Sequence, residues 1–214
     1  MTFLVCGGRM IFVSLSHLFS LALSLSRSTS SLNCLALMLD MACVSLFSPG
    51  VLLYIYPDVV DLYDGHPSSG KCCFDEHGTI LSGCISTNVL FAFYNVCTFL
   101  GDTVSRKLAY RSPPVTPLWF LLPGAVGVVI CCWMVPIIAP IGGFLVFFMN
   151  GSIYAHTCRY IDTHVSNDFN LVALSFWLFV GDAGSVTGSN LVQTFKCLLI
   201  DCNQTYHPCG NMTF

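Results

Sequence analysis

Three polar residues recur at a spacing of seven along one apolar stretch: Asn88, Asn95 and Asp102. Seven residues are about two helical turns, so the three fall on nearly one face of a helix, with Thr98 one turn beyond Asn95. Amide, hydroxyl and carboxyl groups in such a row can bind a polar solute. A polar stripe on a membrane helix faces a neighbouring helix or a water-filled path.

An acid and two bases follow at the end of the same stretch. Asp102 precedes Arg106 by four residues, and Lys107 comes next. An ion pair at a wet membrane edge contributes about 1 kcal/mol or less, so it can break and re-form easily. We predict that these three residues form a gating latch in the following loop, whose pairing biases the protein between two states.

Two more acids lie within apolar stretches, Asp40 and Asp182. A carboxylate inside a bilayer is costly and usually functional. Asp182 lies beside Gly184 and Gly188, a pair of small residues that allows two helices to approach closely. We expect Asp182 to face the solute path, with hydrogen bonding across a helix interface as the alternative. Asp40 lies nearer the inner end of its stretch, where the alternative is that it reaches the membrane interface.

The composition predicts which elements position these residues. Only 9% of the residues are charged and 55% are hydrophobic, and the mean hydropathy is +0.74, whereas about a quarter of a soluble domain is charged. A membrane-spanning helix needs about 20 mostly apolar residues. We therefore predict an all-α integral membrane protein with five or six transmembrane helices, at residues 10–26, 34–56, 79–101, 116–134, 137–156 and 170–192. A tight turn across Pro136 and Pro140 separates the fourth and fifth spans.

The spans divide the chain into three parts. Residues 1–33 form an N-terminal leader or a weak first span, residues 34–196 form a transmembrane helical bundle, and residues 197–214 form an extracellular or lumenal tail. Connections rich in lysine and arginine lie in the cytoplasm. They hold Arg27, Arg106, Lys107, Arg111 and Arg159. The acidic connection 57–78 then lies outside, in a plasma membrane or an endomembrane.

Asparagines and cysteines agree with this orientation. The tail contains two glycosylation acceptor sequences, at Asn203 and Asn211, which are usable only on the outer or lumenal side. The acidic connection carries Cys72 and Cys73 where disulfides are permitted. Cysteines inside predicted spans, Cys84 among them, are interpreted as small apolar packing residues.

No pattern typical of an enzyme or a metal site is present in the sequence. The nearest approach to a zinc site combines Cys72 and Cys73 with His66 and His77, but the usual paired cysteine spacing is missing. No glycine-rich phosphate loop or serine elbow occurs. We expect neither catalysis nor a cofactor nor a metal, and the net charge of −3 without a basic patch argues against nucleic acid as a partner.

Residues 98–107 resemble the cytoplasmic loop signature of the major facilitator superfamily. In that signature a turn led by a small residue gives an Asp, then a small residue, an Arg and another base. The matching positions are Asp102, Ser105, Arg106 and Lys107. Thr98 stands in place of the leading Gly, and Thr103 in place of the base after the Asp. The resemblance implies half of a major-facilitator-type bundle.

Three short motifs are similar to the equilibrative nucleoside transporter family. Residues 93–101 resemble its eighth-helix pattern, Asn150-Gly151 its tenth-helix motif, and residues 52–57 the proline-bearing end of its seventh helix. Their order fits the C-terminal half of that family. The resemblance implies transport of a small polar solute, a nucleoside or nucleobase, past Asn150.

Two registers relate the chain to that family's eighth helix, whose acid and base contact the sugar region of the nucleoside. With Asn95 and Gly101 held in place, the acid and base fall on Thr98 and Asp102, so the pair is not retained. A shift of one helical turn places them on Asp102 and Arg106, at the membrane edge. The first register fits better, which leaves nucleoside specificity open.

The chain has spans for about one of the two bundles that rock against each other in this fold. We therefore predict a multi-pass transporter, or the C-terminal half of one, that pairs with a missing N-terminal half or a second copy. Its solute path is predicted to contain Asn88, Asn95, Thr98, Asn150 and Asp182. The alternatives are a non-transporting membrane scaffold or assembly subunit, and a fragment without function.

Overall fold

The computed structural model describes residues 29–48, 56, 58–63, 73, 80–113 and 115–199. Most of these residues are helical, so the helical class is confirmed, with the addition of one two-stranded sheet. The helices are α1 (Thr29–Phe47), α2 (Thr87–Arg111), α3 (Leu121–Cys132), α4 (Ala139–His164) and α5 (Asn167–Leu199). The strands are β1 (Val59–Asp61) and β2 (Cys84–Ser86), and a 3-10 helix (Pro117–Phe120) leads into α3.

Helix α4 lies at the centre and packs against α2, α3 and α1. Small residues make the α2 contact close. A β-carbon on Gly101 of α2 would collide with the carbonyl oxygen of Phe144, and one on Gly151 of α4 would collide with Ser105. Because neither glycine has a side chain, the two helix backbones come nearly into contact, as in membrane bundles held by small residues.

Helix α5 packs mainly on α1, through the two glycines that the sequence singles out. A β-carbon on Gly184 would collide with the carbonyl oxygen of Met38, and one on Gly188 with that of Ala42. The predicted close helix approach is therefore confirmed. The face of α5 that holds Asp182 is exposed.

The turn between α3 and α4 is also confirmed. Helix α3 ends at Cys132 and α4 begins at Ala139, with Pro140 in the first turn of α4. Proline is tolerated there, because the N–H that it lacks has no partner within the helix at that position.

The predicted span 79–101 is wrong at its start. Cys84, Ile85 and Ser86 form β2, which pairs with β1 in antiparallel register, Ile85 opposite Val60. Cys84 is bonded to Cys73, so it is a disulfide partner and not a packing residue inside a span. The strand pairing and the disulfide hold this segment extended, and α2 begins only at Thr87.

The connections that the sequence predicts to be cytoplasmic are shorter in the structure, because two helices extend into them. Helix α2 continues to Arg111 and α4 to His164, so Arg106, Lys107 and Arg159 lie within helices. Placing the latch in a loop is therefore wrong. A pair of opposite charges four residues apart, such as Asp102 and Arg106, stabilises a helix where it continues past its apolar part.

Among the described residues, one helical segment is long and apolar enough to cross a membrane by length and composition, Asp168–Phe195. Leu32–Phe47 and Pro117–Cys132 are apolar but shorter. Helix α1 ends at Phe47, before the predicted end of its span, because Ser48 precedes a proline and is disfavoured in a helix. The number of spans stays a prediction, and 10–26 lies outside the described residues.

Candidate functional site

Four side chains of α2 and α4 form what we call the Asp102 cluster: Asp102, Arg106, Asn150 and Tyr154. The Arg106 Nε donates to Asp102 Oδ1 over 3.1 Å and lies 3.0 Å from Oδ2. From α4, the Asn150 Nδ2 donates to the same Oδ1 over 3.3 Å. The guanidinium carbon lies 4.8 Å from the centre of the Tyr154 ring, a cation–π arrangement. One carboxylate thus links two helices.

Gly151 and Ser105 allow this contact. A β-carbon on Gly151 would lie 2.6 Å from the backbone oxygen of Asp102, so the absence of a side chain lets α2 approach. The Ser105 hydroxyl donates to that oxygen over 2.8 Å and therefore needs no partner on α4. The side chains of Arg106 and Asp102 are 41% and 27% exposed. Solvent screens such a pair to about 1 kcal/mol or less, so it can open at low cost.

The cluster reaches a third helix through an aromatic contact. The Tyr154 ring lies 5.0 Å from that of Trp177 on α5, tilted by 58°. Trp177 is buried, and its Nε1 has no hydrogen-bond partner among the described residues. Arg106, Tyr154 and Trp177 are therefore neighbours in a row that extends from α2 through α4 to α5.

The structure joins residues to which the sequence assigns different roles. Asn150 is predicted in the solute path, and Asp102 and Arg106 in the latch, yet the three are hydrogen-bonded to one another. Lys107, the third predicted latch residue, is exposed and takes part in no ion pair with the part of the chain that the structure describes.

The other predicted path residues do not meet on one face. Thr98 is buried against α4, and its hydroxyl donates to the Asn95 carbonyl over 2.9 Å, whereas Asn88 and Asn95 are exposed. Asp182 is exposed on α5, which packs mainly on α1. A shared path for these four residues stays a prediction, and the glycosylation sites Asn203 and Asn211 lie outside the described residues.

Among the described residues, the most deeply buried carboxyl group belongs to Asp40. Its exposed fraction is 0%, and neither of its oxygens has a hydrogen-bond partner in the described segments. The Asp40 side chain therefore does not reach the surface of the bundle, and its depth in a membrane stays a prediction. A buried carboxylate without a partner costs several kcal/mol. Asp40 is therefore a stronger functional candidate than the sequence alone indicates.

Two further buried polar residues were not predicted, Asn33 on α1 and His156 on α4. Both have side-chain atoms without a hydrogen-bond partner among the described residues. No spacing rule connects them, because they are far apart in the chain and meet only through the packing of α1 on α4. Within the described ranges, no group of three or more His, Cys, Asp or Glu residues could hold a metal ion.

No family model, curated protein or solved structure matches the chain. The likeness to the major facilitator superfamily and to nucleoside transporters therefore rests on short motifs and stays a prediction. The structure itself defines a helical bundle with buried polar side chains, in which a carboxylate that is ion-paired within α2 accepts a hydrogen bond from α4.

Proposed function

We propose that the chain is a multi-pass membrane transporter, or one half of one, that moves a small polar solute by alternating access. The observation that carries this proposal is the placement of polar and apolar side chains. Asp40 is 0% exposed, whereas Leu171 is 74% and Phe99 68% exposed. Soluble monomers rarely expose large contiguous apolar patches, and a bundle with a buried carboxyl group and many large apolar side chains on its surface suits a bilayer.

Helix length supports the same proposal. Helix α2 has 25 residues and α4 has 26, which at about 1.5 Å per residue gives each a length of roughly 35–40 Å. The hydrocarbon core of a bilayer is about 30 Å thick. Both helices are long enough to cross it and to keep the basic residues near their C-terminal ends in water.

The disulfide supports an orientation. Cys73 is bonded to Cys84 just before α2 begins, and disulfides form and persist in oxidising compartments. The start of α2 then faces the exterior or a lumen, and its C-terminal half, with Arg106, approaches the cytoplasm. In this orientation the Asp102 cluster lies in the second half of α2 and near the middle of α4, and the C-terminus of α5 is outside.

In the proposed cycle, the Asp102 cluster holds α2 against α4 while the inner end is closed. The hydrogen bond from Asn150 to Asp102 joins α4 to α2, so its loss lets the two helices move apart at this contact. Asp40 supplies the buried polar group that a solute or a coupling cation meets inside the bundle. The motifs at Asn150-Gly151 and in residues 93–101 favour nucleosides or nucleobases as the solute class.

The test is uptake into proteoliposomes that contain the purified full chain. Radiolabelled uridine, adenosine and adenine are offered first, and empty vesicles give the background. We expect uptake above background that falls several-fold in Asp102→Ala, while Arg111→Gln, a change at an exposed residue in the last turn of the same helix, leaves it unchanged. Uptake at background for every solute contradicts transport by this chain alone.

A scaffold or assembly subunit is the second candidate, and one observation favours it. Ser175, Asp182 and Ser189 recur every seven residues on α5 and are exposed, opposite the glycines that pack on α1. Polar groups that face lipid are costly, so a partner helix is expected to cover them. If this candidate is correct, Asp182→Leu abolishes a complex detected by native electrophoresis, and no variant alters solute flux.

A further inference from the structure

Two rows of exposed polar side chains lie on different helices of the bundle. On α2 the row contains Asn88 and Asn95, and on α5 it contains Asp182 and Ser189. Helix α2 packs on α4, whereas α5 packs mainly on α1, so both rows stay exposed. In a bilayer, polar side chains normally face a neighbouring helix or water. Each row therefore indicates a helix that is not part of the described bundle.

Asp182 differs from the polar residues around it. Ser175, Thr187 and Asn190 donate to carbonyl oxygens of α5 itself over 2.8 Å, so they need no partner. A carboxylate cannot do this, because it has no proton to donate to a carbonyl oxygen. Asp182 forms no hydrogen bond or ion pair with the described residues, and neither does the side-chain amide of Asn95. The α5 face thus needs a donor, and the α2 face offers one.

The amide and the carboxylate lie at the same depth in the bundle. Arg159, near the end of α4, donates to Ala109 and Ser112 at the end of α2. Helix α5 begins three residues after α4 ends, so α2 ends on the side of the bundle where α5 begins. Asn95 lies sixteen residues before the end of α2, and Asp182 lies fifteen residues after the start of α5. At about 1.5 Å per residue, the two are roughly 24 Å and 22 Å from that side.

The two faces also match in their spacing. On α2, exposed residues follow one another at steps of four, three and four: Asn88, Ala92, Asn95 and Phe99. On α5, read in the opposite direction, they follow at steps of three, four and three: Ser189, Val186, Asp182 and Phe179. Alternating steps of three and four are typical of helices that pack along a heptad seam. Phe99 and Phe179 are each 68% exposed, so each face leaves a large ring uncovered.

We propose that α2 of one copy of the chain packs antiparallel on α5 of a second copy, with the Asn95 amide donating to the Asp182 carboxylate. In this register the small Ala92 lies opposite Val186, which allows close approach, and the two phenylalanine rings meet. Because one chain supplies both complementary faces, the occupant of each face is another copy of the same chain. The interface is heterologous, since different faces meet.

This inference rests on the proposed placement of the bundle in a membrane, and not on transport. A second copy also supplies the second bundle that alternating access requires. The pairing assigns Asn88 and Asn95 to an interface between copies, which accounts for their exposure on a flank of α2 away from α4.

The test measures association of the full chain in phosphatidylcholine vesicles. Copies that carry a donor or an acceptor fluorophore at the N-terminus are mixed, and energy transfer is followed as lipid is added. We expect Asn95→Leu to weaken association about tenfold or more, because it leaves the carboxylate without its donor. Asn190→Leu is the matched control. The Asn190 amide is satisfied within α5, so this variant should associate like the parent chain.

An exchange of the two side chains tests the pairing itself. Asn95→Asp combined with Asp182→Asn returns one amide and one carboxylate to the interface, so association should recover to that of the parent chain. Oxidative cross-linking gives a second readout. Ala92→Cys with Val186→Cys should form a dimer that the parent chain does not form, whereas Val104→Cys with Val186→Cys should not, because Val104 is exposed on another face of α2.

The outcomes separate this inference from the proposed membrane placement. A chain that does not float with the vesicles overturns both. A chain that floats but shows no energy transfer overturns the inference alone. So does a folded Asn95→Leu variant that associates as tightly as the parent chain, or an exchanged pair that associates as weakly as Asn95→Leu.

Discussion

Asn150 on α4 donates a hydrogen bond to Asp102 on α2 over 3.3 Å, and Arg106 donates to the same carboxylate oxygen from within α2. One oxygen atom therefore carries both a contact inside a helix and a contact between helices. The arrangement depends on Gly151, which leaves room for the Asp102 backbone. Asp102 thus connects the two residues that the sequence separates into path and latch.

Replacing Asn150 with Asp should destabilise the protein. The change turns a donor into a second carboxylate beside Asp102, which removes a hydrogen bond and adds repulsion between like charges. We expect Asn150→Asp to lower the free energy of unfolding by about 1–3 kcal/mol, measured by thermal unfolding in detergent, and to cost more than Asn150→Ala.

Asn170 offers a matched control for that change. Its Nδ2 donates to Asp162 over 3.4 Å, but both residues are at an exposed site. Asn170→Asp makes the same chemical change beside an acid where water screens the charges, so its effect should be close to zero. Equal effects at Asn150 and Asn170 contradict the view that the Asp102 contact holds α2 to α4.

Gly184→Leu should separate α5 from α1. A side chain at this position collides with the Met38 carbonyl oxygen, and overpacking of a close contact costs about 1–3 kcal/mol or more. Ala183→Leu is the control, because Ala183 is the neighbouring residue and is exposed. Thermal unfolding in detergent compares the two. A similar loss in both variants contradicts the backbone contact.

The disulfide between Cys73 and Cys84 predicts a specific pattern of thiol labelling. In the denatured parent chain both cysteines should react with a maleimide polymer only after reduction, and Cys84→Ser should release one additional thiol. Loss of the bond should destabilise the fold by about 2–4 kcal/mol. Cys97→Ser, at a free cysteine of α2, is the control: it removes one freely reactive thiol, but it should change neither the two thiols released by reduction nor the stability. Labelling of Cys73 without reduction contradicts the bond.

The helices were largely predictable because they depend on local sequence. The apolar stretch 170–192 lies within α5, the proline-bounded turn separates α3 from α4, and Gly184 and Gly188 form the predicted packing face. Each of these features follows from residues close together in the chain. Local spacing alone determines them.

The remaining features depend on contacts between distant segments. Cysteine connectivity cannot be deduced from sequence, so the disulfide of Cys84 is not predictable. Strands of three residues are too short to show alternation, so the sequence does not predict β2. The depth of Asp40 is decided by how α1 packs on α4. Asn33 and His156 come together through the same packing, which no spacing rule in either helix reveals.

Replacing Asp40 should affect stability and solute uptake in opposite directions. A buried carboxyl group without a hydrogen-bond partner opposes folding, and replacing it with an apolar residue of similar volume removes that cost. Asp40→Leu should therefore raise the free energy of unfolding by about 1–4 kcal/mol, and the same variant should reduce solute uptake to background if Asp40 serves transport.

Asp182→Leu is the comparison, because Asp182 is exposed on α5 and its replacement removes no buried charge from the bundle. Its thermal unfolding in detergent should match that of the parent chain. A loss of stability in Asp40→Leu contradicts the absence of a partner for this carboxyl group. A gain in stability with unchanged uptake assigns Asp40 no part in transport, since the residue then opposes folding without supporting flux.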